Sequence, residues 1–494
     1  MNRAVGKAAV FILAGAMLYG CGSDDPAPTA ATPATPAPTT PVAQPEDLRL
    51  QDQRTFAVDA ATLPFNALAA APDADRWWGM LGGAGYRVEV PKNWNGRLVM
   101  YAHGYAGTGA ALGFSMPSIR RHLLEAGYAW AASTYSKNYY DVRAGLEDTN
   151  ALALAFNRIA SDNGRPLGAP VRTYIIGHSM GGHVTAAAVD EENIQTANNK
   201  VRYHGAVPMC GVLGDTELFN YFGAYQTAAQ QLAGFPATSW PVANWAQIAP
   251  TVRAALFTTY PGATTAQGDR LKAIVKNLTG GERPLFAWGF GGPGAQALQD
   301  AVWSTFGDDG SATGILTQNV INTTAIVFQL DDDPALSPVE QAFNASIYRV
   351  SGSADANRLR RDGLRWVPKT NARISVPVVT LHTLGDMYVP FSMEQIYKRR
   401  ANANGTAQWL VQRAIRGVSH CDFTVAEQVT AFDDMINWEQ NGVKPAGDEV
   451  LDAATVANAT YGCKFTNNTL GTEESAGTAA LRPGVALSAP CGPT

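Results

Sequence analysis

The chain has 494 residues, of which 46% are hydrophobic and 16% charged, and its net charge is −5. The basic residues are scattered along the chain, which argues against a nucleic-acid-binding surface. Past the N-terminus no apolar run approaches the roughly 20 residues of a membrane-spanning helix, and the length outgrows one ordinary core and leaves room for two domains.

The first residues have the pattern of an export signal. Arg3 and Lys7 precede an apolar stretch over residues 8–18 that is too short to span a bilayer as a mature helix. Leu18-Tyr19-Gly20-Cys21 resembles the lipobox of bacterial lipoproteins, in which the cysteine is acylated and becomes the first mature residue. That resemblance implies a signal peptide over residues 1–20 and lipidation of Cys21. It also implies an exported protein held by lipid at the outer membrane or cell surface, or in the periplasm, with release to the medium as a further outcome. Residues 26–45 are almost only Pro, Ala and Thr, which cannot bury a core and favour extended chain. Residues 21–46 are therefore expected to be a tether.

Strand and helix patterns then alternate. Strands are expected over residues 97–103, 128–133, 171–176 and 203–209, with helices over 118–126, 145–161 and 183–192. The pattern resumes with strands over 376–382 and 408–415 and helices over 392–403 and 424–440. Such alternation implies a mostly parallel sheet flanked by helices. The core is thus expected in two parts, 47–213 and 374–445, around an insertion over 214–373. The insertion is rich in Ala, Gln, Gly and aromatics and is expected to be a mainly helical lid. Its Trp240, Trp245, Trp288 and Trp303 are candidates for a pocket wall or for its own core. Asp331-Asp332-Asp333 lacks the ligand spacing of a calcium loop and reads as a solvated loop before Pro334. There is no zinc signature, and no metal or cofactor is expected.

Apart from Cys21 the chain has four cysteines, Cys210, Cys421, Cys463 and Cys491. An even number in an exported chain suggests two disulfides, with three possible connectivities. Cys463 and Cys491 lie in the Gly/Asn/Thr-rich tail over residues 446–494 and are suited to staple it. The pairing expected is Cys210–Cys421 with Cys463–Cys491.

The motif with the most chemical content is Gly177-His178-Ser179-Met180-Gly181, between an expected strand and an expected helix. This is the Gly-x-Ser-x-Gly nucleophile elbow. A serine hydroxyl is a weak nucleophile and needs a neighbouring base. The sharp turn lifts Oγ above the sheet, and the helix start offers N–H groups to a developing negative charge. Downstream, Gly385-Asp386-Met387-Tyr388-Val389-Pro390 follows a strand and resembles the acid loop of bacterial esterases and lipases, which makes Asp386 the candidate acid. His420, in a short loop after the last strand, is the candidate base. His382 lies within a strand and is expected to be buried packing, as are His178 and His183. His103-Gly104-Tyr105 ends a strand upstream of the elbow.

Ser179, Asp386 and His420, in that order, with the His-Gly-x segment, resemble the α/β-hydrolase serine esterases and lipases over about residues 77–213 and 374–443. The resemblance implies an α/β-hydrolase fold with a lid insertion, a Ser179–His420–Asp386 triad, and an oxyanion hole built from the N–H groups of Tyr105 and Met180. His420-Cys421 is also similar to tannases and feruloyl esterases, whose catalytic histidine precedes a cysteine. Those enzymes carry the partner cysteine beside the serine, where this chain has His178. The function expected is hydrolysis of carboxylic esters of lipid, phenolic or polyester type, small or polymeric, through an acyl-enzyme. A peptidase or amidase is the alternative, and a surface-binding module without catalysis is a third reading.

Overall fold

Eight strands make the central sheet: β1 (Asp75–Leu81), β2 (Ala84–Val90), β3 (Arg97–Ala102), β4 (Ala129–Ser133), β5 (Arg172–His178), β6 (Ala206–Met209), β7 (Val378–Thr383) and β8 (Leu410–Ile415). Across the sheet they run β1-β2-β4-β3-β5-β6-β7-β8. Only β2 is reversed, antiparallel to both β1 and β4, and every other pairing is parallel. This computed structural model describes residues 48–491; Cys21, the signal segment and the tether expected over 21–46 lie outside them.

The strands form where residues suit burial on both faces. Leu98, Val99 and Met100 of β3 are all fully buried. Leu98, Met100 and Ala102 enter the apolar layer on one face, while Val99 and Tyr101 enter the layer on the other. That is the two-residue alternation of a strand, with both sides covered as in parallel sheets. The hairpin of β1 and β2 was not among the expected strands. Its turn is Gly82-Gly83, with φ of 60° and 90°, a conformation open to glycine and suited to a two-residue hairpin.

Four helices precede the insertion: α1 (Arg120–Glu125), α2 (Val142–Asp162), α3 (Met180–Ala188) and α4 (Glu191–Thr196). Helices α2 and α3 supply one apolar layer, and α1 together with the later helix Val425–Asn441 supplies the other. The single helix expected over 183–192 is two, because the Asp190 carboxylate caps α4 by accepting from the Glu192 N–H. The insertion holds α5 (Glu217–Leu232), α6 (Trp245–Leu256), α7 (Ala266–Leu278), α8 (Phe286–Gly291), α9 (Ala295–Trp303) and α10 (Pro338–Ser346). Helices α11 (Ser392–Ala403) and α12 (Val425–Asn441) follow β7 and β8, and the tail adds α13 (Ala453–Val456) and α14 (Ala476–Ser488). Among the described residues no helix is long and apolar enough to cross a membrane. The Asp331–Asp333 loop is exposed, and Asp332 pairs with Lys276 at 2.5 Å.

The insertion leaves the core near Asp215 and returns near Lys369, and one buried carboxylate ties both points. Asp215 is fully buried and meets Lys369 at 3.2 Å and Arg400 of α11 at 2.6 Å. It also accepts from the Thr370 N–H at 3.3 Å. The His183 ring bonds the Pro368 carbonyl at 2.8 Å beside it. Insertion and core belong to one compact unit.

Burial raises the Asp215 carboxyl, but Arg400 and Lys369 outweigh that and hold it at about 2. The stabilisation is therefore present above the unfolded carboxyl value and lost as pH falls toward 2. Asp215→Asn leaves two cations without their anion, and both are partly exposed. It should cost about 2–3 kcal/mol at pH 7, below the range for a fully buried pair. Denaturation at a series of pH values should show the deficit narrowing between about pH 4 and pH 2.

Candidate active site

The C-terminal ends of β3, β5, β6 and β7 lie side by side, with Ala102 opposite Gly177, His178 opposite Met209, and Met209 opposite Leu381. Loops leaving these ends converge on Ser179. This serine has φ 58° and ψ −122° at the junction of β5 and α3, a conformation L-residues rarely adopt. Neighbouring glycines permit it. A Cβ on Gly177 would stand 2.4 Å from the Gly181 carbonyl oxygen, and one on Gly181 would stand 2.0 Å from that of Ala102.

The three residues expected to form a triad meet in one hydrogen-bonded chain. His420 Nε2 is 2.7 Å from Ser179 Oγ, and His420 Nδ1 is 2.6 Å from Asp386 Oδ2. The second Asp386 oxygen accepts from the N–H groups of Tyr388 and Val389 at 2.9 and 3.0 Å. A carboxylate acts only as acceptor, so it selects the tautomer with the proton on Nδ1 and leaves Nε2 to accept the serine proton. Asp386 is fully buried and His420 is partly exposed.

Gly104 lies against the serine, since a Cβ there would be 3.4 Å from Ser179 Cβ. Tyr105 follows it and Met180 begins α3. Among the described residues neither the Tyr105 nor the Met180 N–H donates to a protein acceptor. His103 stacks on Tyr135 at 3.9 Å, and the Tyr135 hydroxyl donates to the His103 carbonyl at 3.0 Å. These contacts fix the strand end that carries Gly104 and Tyr105.

Three other histidines, His178, His183 and His382, sit behind the site. His178 lies between Gln428 Oε1 at 3.0 Å and the Tyr101 hydroxyl at 3.4 Å. His183 meets the Tyr140 hydroxyl at 2.8 Å. Burial lowers each of these two imidazoles to about 4, so both are neutral near pH 7. His382 is fully buried; burial lowers it, but Glu394 at 3.4 Å outweighs burial and leaves it raised.

Both disulfides are present, Cys210–Cys421 and Cys463–Cys491. Cys210 directly follows Met209, whose carbonyl accepts from the Ser179 N–H at 3.0 Å. The bridge therefore joins the strand beside the elbow to the residue after His420. Cys210, His420 and Cys421 also form the one close-set group of metal-ligand types among the described residues, but the disulfide takes up both thiols.

A cavity of about 410 Å³ opens onto Ser179. Tyr105, Tyr140, Phe219, Phe222, Phe306 and Tyr388 give it an aromatic wall, and Asp308 is the acidic residue on its lining. The insertion's tryptophans do not line it. Trp245 and Trp303 instead pack 5.9 Å apart in the insertion core, joined by Phe306. The wall aromatics of α5, Phe219 and Phe222, carry no sequence mark that separates them from core residues.

The tail also reaches the site. Arg482 of α14 is almost fully buried. It donates to Glu427 at 2.8 and 2.9 Å, to the Asp422 carboxylate at 3.3 Å, and to the Asp422 carbonyl. Asp422 Oδ2 in turn accepts from the Val418 N–H at 3.3 Å. Helix α14 thus braces the loop that carries His420.

The strand order with one reversed strand, the elbow after β5, and the serine–histidine–aspartate chain at the strand ends define an α/β-hydrolase fold. No family model matches the chain, and no curated protein matches it. Among solved structures it is similar to feruloyl esterase B from Aspergillus oryzae, with 13% identity, 79% of this chain and 88% of that chain covered, and a TM-score of 0.42. It is also similar to an esterase from Aspergillus oryzae, with 12% identity, 75% and 80% covered, and a TM-score of 0.39. An acylaminoacyl peptidase from Pyrococcus horikoshii aligns at 10% identity, over 70% of this chain and 37% of that one, with a TM-score of 0.33.

Two substitutions test the supports of the histidine loop. Arg482→Met leaves the Asp422 and Glu427 carboxylates buried without their cation, and should cost about 3–5 kcal/mol in denaturant unfolding. Replacing Cys210 and Cys421 together by serine opens a loop spanning a sequence separation of 211 residues, and should cost about 2–4 kcal/mol.

Proposed function

We propose that the protein is a serine hydrolase of carboxylic esters that works through an acyl-enzyme. One observation carries this reading: the Asp386–His420–Ser179 chain opens into an aromatic cavity with two unengaged backbone donors beside the serine. Ser179 Oγ attacks the ester carbonyl while His420 Nε2 takes its proton. The Tyr105 and Met180 N–H groups stabilise the tetrahedral oxyanion. His420 then gives the proton to the leaving alcohol and activates water for deacylation. Asp386 holds the ring tautomer and stabilises the imidazolium. Cofactors have no part in these steps.

The cavity supports an ester with an apolar or aromatic acyl or alcohol group. A peptidase acting on free N-termini is less well supported, because Asp308 stands without a second carboxylate on the cavity lining and already accepts from the Gly310 and Thr313 N–H groups. With the lipobox-like sequence ending at Cys21, the reading extends to a lipid-anchored enzyme acting at the cell surface or in the periplasm on lipid, phenolic or polyester-type esters.

The test is hydrolysis of p-nitrophenyl esters from acetate to palmitate. Ser179→Ala should lower kcat by roughly a thousandfold or more, and the chain-length optimum should reflect the cavity. Wild-type activity on aminoacyl anilides with none on any ester would assign the site to amides instead.

A further inference from the structure

The loop that carries Asp386 is held from three sides by donors to its carbonyl oxygens. Arg283 Nε donates to the Leu384 carbonyl at 2.8 Å, the Tyr221 hydroxyl to the Met387 carbonyl at 2.8 Å, and the His382 ring N–H to the Val389 carbonyl at 2.8 Å. Arg283 and Tyr221 belong to the insertion. Together the three bonds bracket the segment whose N–H groups hold the Asp386 carboxylate.

Backbone packing closes the same segment from two sides. Gly289 of α8 is so near that a Cβ there would stand 1.9 Å from the Gly385 carbonyl oxygen. On the opposite side a Cβ on Gly385 would stand 2.6 Å from Val418 Cα, in the histidine loop. The acid loop is therefore sandwiched between the insertion and the loop that presents His420.

Arg283 is a costly residue to bury. It is 2% exposed, and it donates to the carbonyls of Leu384 and Gly281 and to the Thr279 hydroxyl. Burial lowers the guanidinium to about 10, and Asp386 is among the groups that act against that shift. A buried cation without a directly paired carboxylate is rare. Here it faces the loop of a buried anion.

We propose that the insertion is a fixed clamp on the acid loop, and that Tyr221 and Arg283 are positioning residues for Asp386. This rests on the reading of Asp386 as the triad acid. The insertion then completes the reaction centre as well as covering it. The anchoring of its two ends through Asp215 fits a wall that stays in place. Tyr221 and Arg283 act on chemistry through loop geometry, so their loss should appear in kcat more than in KM.

The experiment compares the whole mature protein as wild type, Tyr221→Phe, Arg283→Lys and Arg283→Met, with Tyr203→Phe as control. The control also loses a buried hydroxyl bond, the one Tyr203 donates to Asn150 at 2.8 Å. Each is measured for kcat and KM on one p-nitrophenyl ester, for the rate of Ser179 labelling by a fluorophosphonate, and for Tm. Tyr221→Phe should lower kcat and labelling rate by roughly 5- to 30-fold, the loss of one buried hydrogen bond, with KM within about twofold. Arg283→Lys should retain more activity than Arg283→Met, and Tyr203→Phe should keep the wild-type kcat. Wild-type kcat in Tyr221→Phe and Arg283→Lys would overturn the clamp, as would an equal loss in Tyr203→Phe. If Arg283→Met does not fold, the Tyr221→Phe and Arg283→Lys measurements decide. A wild type that labels but cleaves no ester would overturn the ester reading while the labelling rates still judge the clamp. A wild type that does not label would overturn both.

Discussion

The structure depends on how closely β5 and α3 approach each other around Ser179. The backbone of Gly181 lies against Ala102 and that of Gly177 against Gly181, leaving no room for a side chain at either position. In that space the chain must turn within one residue, and Ser179 takes positive φ as a result. Such a conformation costs on the order of 1–3 kcal/mol and persists only where packing on all sides over-determines it. Here the sheet supplies that packing: the Ser179 N–H is tied to Met209 on the next strand, and the His183 N–H bonds back to the Ser179 carbonyl. The strain lifts Oγ out of the sheet and places it in reach of His420.

With the serine fixed, the other two members must be brought to it by loops, and loops need external support. The acid loop is supported on its carbonyls by Arg283, Tyr221 and His382 and on its backbone by Gly289 and Val418. The histidine loop is supported by the Cys210–Cys421 bridge and by Arg482 from the tail. Apart from His382, which lies in the strand leading into the acid loop, each support comes from a segment far away in sequence. The insertion and the tail, which a core-only view of the fold would treat as additions, thus hold Asp386 and His420 in place beside Ser179.

The electrostatics follow the same division. His178 and His183 lie behind the serine and are lowered by burial to about 4, so neither adds an imidazolium beside His420 near pH 7. Two buried charges away from the serine, Asp215 and Arg482, are each met by opposite charges. Those pairs bind the insertion and the tail to the core, and their desolvation is offset only because the partners are already held by the fold.

Much of the core was legible in the sequence because its signals are local. The apolar run before Ser179, the glycines at 177 and 181, and the Gly-Asp segment after β7 each report on their own neighbourhood, and chain order supplied the rest of the Ser–Asp–His set. The β1–β2 hairpin was passed over although Gly82-Gly83 marks its turn. Helix α14 falls in the segment expected only as a Gly/Asn/Thr-rich tail, and the structure runs it through Pro483. Sequence leaves the insertion's tryptophans open between cavity wall and core; Phe219, Phe222 and Phe306 line the cavity, and Trp245 and Trp303 fill the insertion core. Sequence by itself determined the order of elements and the residue types able to react, since periodicity and turn chemistry act over a few residues. Only the tertiary structure decided which distant donors hold those residues in place, because a carbonyl 166 residues from Tyr221 or 101 from Arg283 becomes its partner through packing that no local pattern encodes.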